Sequence, residues 1–220
     1  MSLILPIPAD GRGRRFLALF TGLALYGLSV SLLVVADLGL DPWDVLHQGI
    51  ARRTGISIGI STIVISAVVL LLWIPLRQRP GLGTLSNAVL IGVAMDVSLA
   101  LLPRPGAMAW RVTFMIVGIV LNGLATGLYI GAGMGPGPRD GLMTGLAARG
   151  GSIRVVRTAI ELSVLAIGFV LGGSVGVGTV AYALSIGPLA HLTIPLFTIG
   201  DAEPARAREI PMGADRPIGG

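Results

Sequence analysis

Two stretches of this chain, 36–57 and 132–153, carry the same residue pattern 96 positions apart. Between residues 15 and 55, 15 of the 41 positions hold the same residue as the position 96 later, without a gap. A weaker match follows at a spacing of 95, where Gly81-Leu-Gly-Thr84 aligns with Gly176-Val-Gly-Thr179. Self-similarity of this kind indicates that one structural unit is used twice. The predicted organisation is a flexible lead (1–13), a first repeat (14–105), a second repeat (106–200) and a disordered tail (201–220).

Each repeat holds three apolar runs, and the composition is that of a membrane protein. Of the 220 residues, 53% are hydrophobic and 12% charged, with a mean hydropathy of +0.85, whereas soluble domains carry about 25% charged residues. A run of about 20 apolar residues crosses the hydrocarbon core as a helix. The predicted fold is all-α, with six transmembrane helices at about 16–36, 57–76, 82–102, 110–132, 155–172 and 177–199.

Arginine supplies all of the basic charge, since the chain has no lysine. If the N-terminus is cytoplasmic, 12 arginines fall on the cytoplasmic side of the six spans and 4 fall outside. This excess predicts that both ends of the chain lie in the cytoplasm. Three spans per repeat then place the two repeats in opposite orientations, an arrangement that recurs in secondary transporters.

A polar segment follows the first apolar run of each repeat. It begins Asp41-Pro42-Trp43-Asp44 in the first copy and Gly137-Pro138-Arg139-Asp140 in the second. Proline fits the first position of a helix, and a first-turn aspartate complements the helix dipole. The pattern predicts short helices over 42–53 and 138–149. The structural positions of this motif are Pro42, Gly49, Pro138 and Gly145.

Two interpretations of Asp44 and Asp140 are open. In the first, each carboxylate only complements the dipole of an exposed helix start. In the second, each short helix is re-entrant, and both carboxylates line a central cavity as proton or cation sites, because charges at membrane depth are costly and mark function. The other candidates for this substrate or ion site are Trp43, His47, Asp96 and Asn122. For Asn122, a hydrogen bond to a neighbouring helix is the alternative.

Several function classes are not expected. The chain has no cysteine, and His47 and His191 are its only histidines, so thiolate chemistry and multi-histidine metal sites are excluded. No Walker loop, nucleophile elbow or H-E-x-x-H motif occurs. We therefore expect no enzyme activity, no cofactor and no metal. A nucleic-acid partner is not expected either, because no basic soluble domain is left beside the apolar runs.

The duplicated block resembles a known family. The block reads G-x-D-P-W-D-V-L-H-Q-G-I-A-R-R-T-G-I-S-I-G, with R-Q-R-P-G-L-G-T and G-P-G-P-R-D-G-L-M-T-G-L further along the chain. It resembles the YczE/YyaS/YitT family of bacterial integral membrane proteins over roughly residues 15–198. The resemblance implies a multi-pass protein of the bacterial inner membrane and implies no reaction. The residues that map onto its recurrent motif are Pro42, Asp44, Gly49, Pro138, Asp140 and Gly145.

Two functions fit these observations. One is a small secondary transporter or permease for an unknown small solute or ion, by analogy of architecture. The other is a non-transporting membrane scaffold or accessory protein of an envelope or secondary-metabolite pathway. Besides the lipid bilayer, a homo-oligomer or a membrane partner is left open. Because Trp43 is replaced by Arg139 in the second copy, a fully symmetric site is not expected.

Overall fold

The computed structural model describes residues 4–200, and within that range the chain forms eight helices and no strand. The predicted tail and residues 1–3 lie outside the described residues. The helices are α1 (Arg12–Ala36), α2 (Pro42–Thr54), α3 (Ile58–Leu76), α4 (Leu82–Leu101), α5 (Met108–Gly131), α6 (Pro138–Ala147), α7 (Ile153–Val170) and α8 (Val177–Phe197). The predicted all-α class is confirmed, and the order long, short, long, long occurs twice.

Five of these helices, α1, α3, α4, α5 and α8, are long and apolar enough to cross a membrane. The remaining long helix, α7, has 18 residues and carries three charges, at Arg154, Arg157 and Glu161. It is therefore not apolar enough to count among the candidate spans. The chain is an integral membrane protein by this composition, while its sixth span stays a prediction.

Several helix boundaries differ from the predicted ones by up to four residues, among them the start of α1 and the end of α6. Helix α1 begins at Arg12, inside the predicted lead, and the backbone N–H of Leu5 donates to the carbonyl oxygen of Pro80 at 3.0 Å. Helix α6 ends at Ala147 instead of residue 149, because the chain turns through Gly150 with φ of +108°. Both differences lie at helix ends, where a hydrophobicity pattern carries little information.

The two longest helices, α1 and α5, pack against each other in antiparallel directions. A Cβ atom at Gly22 would lie 3.1 Å from the carbonyl oxygen of Ala125, and one at Gly118 would lie 3.0 Å from that of Ser29. The two contacts are equivalent in the repeat, because Gly22 and Gly118 are 96 positions apart and so are Ser29 and Ala125. Glycine is required at both, because the backbone of the neighbouring helix occupies the space of a side chain.

Each end of the α1–α5 pair is closed by an arginine. Arg15 Nη1 donates to the carbonyl oxygen of Ala132 at 2.8 Å, and Arg111 Nε donates to that of Ala36 at 2.7 Å. Both carbonyls belong to a helix end, where the backbone has no partner within its own helix. The same interaction is therefore made twice, with the two halves of the chain exchanging roles.

Extended segments lead from α1 to α2 and from α5 to α6. Gly39 and Gly135 lie in these segments with φ of +112° and +119°, which favours glycine over other residues. A Cβ at Gly39 would lie 2.6 Å from the Gly176 nitrogen, and one at Gly135 would lie 2.9 Å from Gly81 Cα. Each segment thus packs against the start of the last helix in the other half.

Helix α2 starts beside the second half of α3 and runs back toward its beginning. Trp43, in the first turn of α2, packs in one apolar cluster with Val69 and Trp73. One turn further on, His47 Nδ1 lies 3.1 Å from Thr62 Oγ1. Since Val69 is eleven residues beyond the start of α3, α2 begins about 16 Å along that helix at 1.5 Å per residue.

Helix α6 starts at nearly the same level and runs the other way. Trp73 Nε1 donates to the carbonyl oxygen of Pro138, the first residue of α6, at 3.0 Å. At the far end, a Cβ at Gly145 would lie 2.9 Å from Gln78, which is already beyond the end of α3. The N-terminal turns of the two short helices therefore lie together, and their C-terminal ends point apart.

Candidate functional site

A cluster of charged side chains occupies the place where the first turns of α2 and α6 meet. Arg139 of α6 lies between two carboxylates of the α2 start, with Nη1 3.5 Å from Asp41 Oδ2 and Nη2 3.4 Å from Asp44 Oδ1. The aspartate side chains are 5% and 2% exposed, and that of Arg139 is 21% exposed. One guanidinium from the second half of the chain thus faces two buried carboxylates from the first.

The start of α2 explains why two aspartates are buried there. Asp41 is the N-cap residue, and its Oδ1 accepts a hydrogen bond from the Asp44 backbone N–H at 2.7 Å. Pro42 follows at the first helical position, where the missing N–H is not needed. In α6 the N-cap is Gly137, which has no side chain to offer, so that helix start lacks the second carboxylate.

His47 extends the cluster by one turn of α2. Its Nδ1 lies 3.2 Å from Asp44 Oδ1, 3.1 Å from Thr62 Oγ1 and 3.5 Å from Arg139 Nη2. Within residues 4–200, neither His47 Nε2 nor Asp44 Oδ2 has a hydrogen-bond partner, although both atoms are buried. Buried polar atoms without partners are rare in proteins, so these two indicate a place for water, an ion or a proton.

Trp43 and Arg139, which occupy equivalent positions of the sequence repeat, contact each other. The guanidinium carbon of Arg139 lies 5.3 Å from the centre of a Trp43 ring. A cation over an aromatic face at this distance is attracted by the ring quadrupole. The substitution that breaks the symmetry of the motif therefore creates a favourable contact across the junction.

A cavity of about 70 Å³ adjoins the cluster on the α6 side. Arg139 and Asp140 line it, and Tyr129 donates from its hydroxyl to Asp140 Oδ2 at 3.2 Å. The other lining residues are Tyr26, Thr62, Ser66, Asn87, Ile91, Gly137 and Pro138. A water molecule needs at least about 10–15 Å³ of such space, so the cavity has room for several waters or one small ion.

The ionisable groups on α2, which is not among the candidate spans, are shifted by burial. Burial, reinforced by the neighbouring Asp44 carboxylate, raises the pKa of Asp41 to about 6, against the opposing effect of Arg139. Burial likewise raises the pKa of Asp44, and burial together with Arg139 lowers that of His47. At neutral pH His47 is therefore uncharged, and the two aspartates take up protons more readily than exposed ones.

Comparison with known proteins places this chain in a family. Residues 13–195 match the family of unknown function DUF6198. The chain belongs to the DUF6198 family. It is 46% identical to an uncharacterized protein of Haemophilus influenzae over 174 residues, which are 79% of this chain and 80% of that protein.

Two further relatives of this DUF6198 protein come from Bacillus subtilis. The uncharacterized membrane protein YczE is 33% identical over 179 residues, 80% of this chain and 83% of YczE. The uncharacterized protein YyaS is 27% identical over 182 residues, 80% of this chain and 90% of YyaS. The resemblance to YczE and YyaS inferred from the motif is thereby confirmed. No solved structure matches the chain.

The structure brings four of the predicted site residues of this DUF6198 protein together. Trp43, Asp44 and His47 lie in the cluster, and Asp140 lies in the adjoining cavity. Asp140 is separated from Asp44 by Arg139, so the two motif aspartates have different surroundings.

Asp96 and Asn122 lie elsewhere. Asp96 accepts hydrogen bonds from the Ser57 hydroxyl and from the Gly59 backbone N–H, the latter at 2.9 Å, and so binds the start of α3. Asn122 donates to Ser29 Oγ at 2.8 Å and accepts from the Tyr182 hydroxyl at 2.8 Å. Asn122 therefore makes hydrogen bonds between helices, as the alternative interpretation expected, and these bonds join α5 to α1 and α8.

The four structural positions of the motif lie at the starts of the short helices or at close contacts with neighbouring segments. Pro42 and Pro138 each occupy the start of a short helix. A Cβ at Gly49 would lie 2.6 Å from the carbonyl oxygen of Gly168, while Gly145 packs on the Gln78 side chain. These residues position the short helices and carry no chemistry of their own.

Arg139, Asp41 and Tyr129 belong to the site but were not among the predicted site residues. In the sequence analysis Asp41 is only the residue that precedes Pro42 in the motif, and Arg139 is only the replacement for Trp43 in the second copy. A usable signal was present, because an arginine in the first turn of a segment expected at membrane depth must find a counter-charge.

Proposed function

We propose that this DUF6198 protein is a small secondary transporter or permease of the bacterial inner membrane. Its two halves would act as inverted repeats that move around the junction of α2 and α6. Secondary transporters commonly bind solutes where interrupted helices meet near the middle of the membrane, between two structural repeats. This proposal extends beyond the relatives, whose names state no function.

The observation that carries the proposal is the meeting of two helix starts at a buried charge cluster between the halves. Arg139 of one half is paired with Asp41 and Asp44 of the other at 3.5 and 3.4 Å. Burying three charges costs several kcal/mol per ion before pairing is counted, and apolar side chains would fill this space at lower cost. A cluster retained despite that cost supports a functional role.

The charges favour a positively charged or neutral solute. Asp41, Asp44 and Asp140 bring three carboxylates to the cluster and its cavity, against the guanidinium of Arg139 within it and that of Arg157, which acts on Asp140 from α7. Helix N-termini alone attract anions. Here the first-turn carboxylates of α2 and α6 offset that attraction, so anionic solutes are disfavoured.

The membrane topology is tested by reporter fusions. We expect six spans with both ends cytoplasmic, so a reporter fused after Pro80 is cytoplasmic and one fused after Pro105 is external. The antiparallel packing of α1 and α5 supports opposite orientations of the two halves. Finding both fusions on the same side would contradict the inverted-repeat arrangement.

Transport is tested with the purified protein in liposomes, against a panel of small organic cations, amino acids and neutral solutes. We expect uptake of at least one class above protein-free liposomes, and loss of that uptake in Asp44→Asn and Asp140→Asn, which keep the size of the side chains. Glu161→Gln on α7 serves as the matched control and should retain uptake. Full uptake in both aspartate variants would return these residues to a helix-dipole role.

A scaffold or accessory role is the second candidate, and α7 favours it. This helix buries only Gly168 and carries an exposed ion pair, Arg157 Nε to Glu161 Oε1 at 2.8 Å. Charges on a helix at membrane depth are costly in lipid, so a second protein could cover them. Stable co-purification with one membrane partner, together with no uptake of any solute, would support this role over transport.

A further inference from the structure

We propose that Asp44 and His47 form a proton-binding site, with Arg139 as its built-in counter-ion. As the coupling ion of a transport cycle, the proton rests on the proposed function. The binding itself is a property of the folded protein and can be measured without any solute.

The hydrogen bonds select Asp44 over its neighbour Asp41. Both oxygens of Asp41 are engaged, Oδ1 by the Asp44 backbone N–H and Oδ2 by Arg139. Asp44 uses only Oδ1, which contacts Arg139 and His47, and its Oδ2 has no partner within the described chain. His47 Nε2 is free in the same way. The pair therefore has two buried atoms available to accept or pass a proton.

A charge count gives the stoichiometry. With Asp41 and Asp44 ionised, Arg139 charged and His47 neutral, the buried cluster carries one net negative charge. A net charge away from water is strongly disfavoured. One proton on Asp44 makes the cluster neutral and leaves Asp41 to pair with Arg139.

A metal cation fits this position less well than a proton. Arg139 Nη2 lies 3.4 Å from Asp44 Oδ1 and 3.5 Å from His47 Nδ1, so a second fixed cation there would be repelled at close range. Hard cations also take about six or more oxygen ligands. Among residues 4–200, no group of three or more His, Asp or Glu side chains is arranged to hold a metal ion.

The elements packed around the pair contribute few other titratable groups. From α6 comes Arg139, and from α1 and α8 come the hydroxyls of Tyr26 and Tyr182, which face the aspartates. Helix α3 contributes Thr62, which bonds His47. Helix α7 contacts α2 at Gly168, and its Arg157 acts electrostatically on Asp140 in the adjoining cavity. Protonation of the pair is therefore governed mainly by Arg139 and by Asp41.

Proton binding to Asp44 is coupled to the ion pair between Asp44 and Arg139, which joins the two halves. When Asp44 gains a proton, one O–H bond forms on the carboxylate and one breaks in a hydronium ion that arrives from bulk water through the adjoining cavity, which leaves a neutral water molecule. The ion pair with Arg139 is then lost. Arg139 then keeps Asp41 and can turn to Asp140 on its own helix, which lines the same cavity. When the proton leaves to water, the ion pair forms again, so the two halves are held more tightly in the deprotonated state.

Infrared spectroscopy of the full-length protein in lipid nanodiscs tests the site. The absorption of protonated carboxylic acid groups is followed as pH is raised from 4 to 9. We expect one titration step of this band that is lost in Asp44→Asn, is distinct from any step that Asp41 contributes, and is retained in the control Glu161→Gln. In Arg139→Gln the midpoint should move up by at least one pH unit, a tenfold change in proton affinity, because the positive charge that favours the carboxylate is gone.

Three outcomes would overturn the proton site. The same titration step could persist in Asp44→Asn. The midpoint could stay in place in Arg139→Gln, which would remove the counter-ion role. Saturating loss of the band on adding Na⁺ or Mg²⁺ at fixed pH would show that a metal ion occupies the position instead.

Liposome uptake separates the failure of this inference from that of the transport proposal. If the Asp44 band titrates as expected while no solute is taken up, the proton site stands and transport is wrong. If a solute is taken up at a rate independent of an imposed pH gradient, transport stands and proton coupling is wrong. Uptake that follows the pH gradient and is lost in Asp44→Asn supports both.

Discussion

The two halves of the molecule share their backbone contacts and differ in the side chains at their junction. Gly22 and Gly118 make the same contact between α1 and α5, and Arg15 and Arg111 each bind the carbonyl that ends the other helix. At the junction, α2 brings two buried carboxylates and a histidine, whereas α6 brings an arginine and a more accessible aspartate. The scaffold is symmetric, and the site is not.

The difference has a physical reason, because equivalent residues of two antiparallel units face each other near their common axis. Two copies of Arg139 would repel, and two of Trp43 would leave the carboxylates unpaired. Having Trp43 in one copy and Arg139 in the other gives a ring and a cation 5.3 Å apart. A change at one position of a duplicated chain can thus place a positive charge opposite the carboxylates of the other half.

The two halves also differ in which helix carries the larger residue at an equivalent packing contact. In the first half α2 has Val45, which packs on Gly168 of α7. The equivalent contact pairs Gly141 of α6, in the second half, with Trp73 of α3, in the first half. Each short helix therefore packs closely on a long helix of the other half, with the large residue on opposite partners.

The largest effect is expected from reversing the charge at the junction. Arg139→Glu would replace the guanidinium, which lies 3.5 Å from Asp41 and 3.4 Å from Asp44, with a third carboxylate. Breaking a buried ion pair costs about 3–5 kcal/mol, and repulsion adds to it. We expect a large fall in the thermal unfolding midpoint of the detergent-solubilised protein, or no folded protein at all.

Arg104→Glu, in the exposed loop before α5, is the matched control for this charge reversal. It changes the net charge equally and should leave the unfolding midpoint nearly unchanged, since isolated surface charges contribute about 0–1 kcal/mol. Equal midpoints for the two variants would mean that the cluster does not hold the halves together.

The next largest loss of stability is expected at the packing contact between Gly141 of α6 and Trp73 of α3. A Cβ at Gly141 would lie 1.9 Å from Trp73 Cζ2, so Gly141→Ala forces the indole ring to move. Overpacking of this kind costs typically about 1–3 kcal/mol. Trp73→Phe removes the clashing atoms, so the same glycine change should cost clearly less in that background.

A double-mutant cycle on unfolding midpoints measures this coupling. Gly187→Ala on α8 is the control, because no atom lies within 4 Å of the added carbon. It should be neutral or slightly stabilising, as alanine favours a helix over glycine. Additive effects of the Gly141 and Trp73 changes would contradict the close packing of α6 on α3.

The sequence predicted the helices well and the centre of the site only in part. Apolar runs and the two proline starts place every element to within a few residues, because hydrophobic length and capping are local properties. The pairing of Arg139 with Asp44 joins residues 95 apart and has no local signature. The pairing depends on the antiparallel packing of α1 and α5. The glycine spacing indicates that these helices pack closely, but it does not specify which residues of the two halves meet.

Asp96 shows the opposite case. A lone aspartate in an apolar run indicates function at membrane depth, yet its carboxylate binds the start of α3 near the end of α4. The signal was real, because the charge does have a specific partner. The partner of Asp96 is the N-terminus of α3. The sequence does not show which part of α4 lies beside that helix start.

A smaller effect concerns the asparagines of the two halves. Asn122 is fully buried and bonds Ser29 and Tyr182, whereas Asn87 lines the cavity and can bond water there. Asn122→Ala leaves a buried tyrosine hydroxyl unpaired, at a cost of about 1–3 kcal/mol. Asn87→Ala should cost less than Asn122→Ala in unfolding midpoint, and the reverse order would argue against a hydrated cavity.

The smallest effect is expected at Asp96 and its counterpart in the second half, His191. Asp96→Asn keeps an oxygen that accepts from the Gly59 N–H and removes only the charge at the start of α3. A carboxylate near a helix N-terminus contributes about 0.3–1 kcal/mol, so the unfolding midpoint should fall slightly. His191→Asn, on an exposed position of α8, should leave it unchanged. Neither variant should alter solute uptake or the Asp44 infrared band. Loss of uptake in Asp96→Asn with a normal midpoint would extend the functional site along α4 and would mean that the charge cluster is not its full extent.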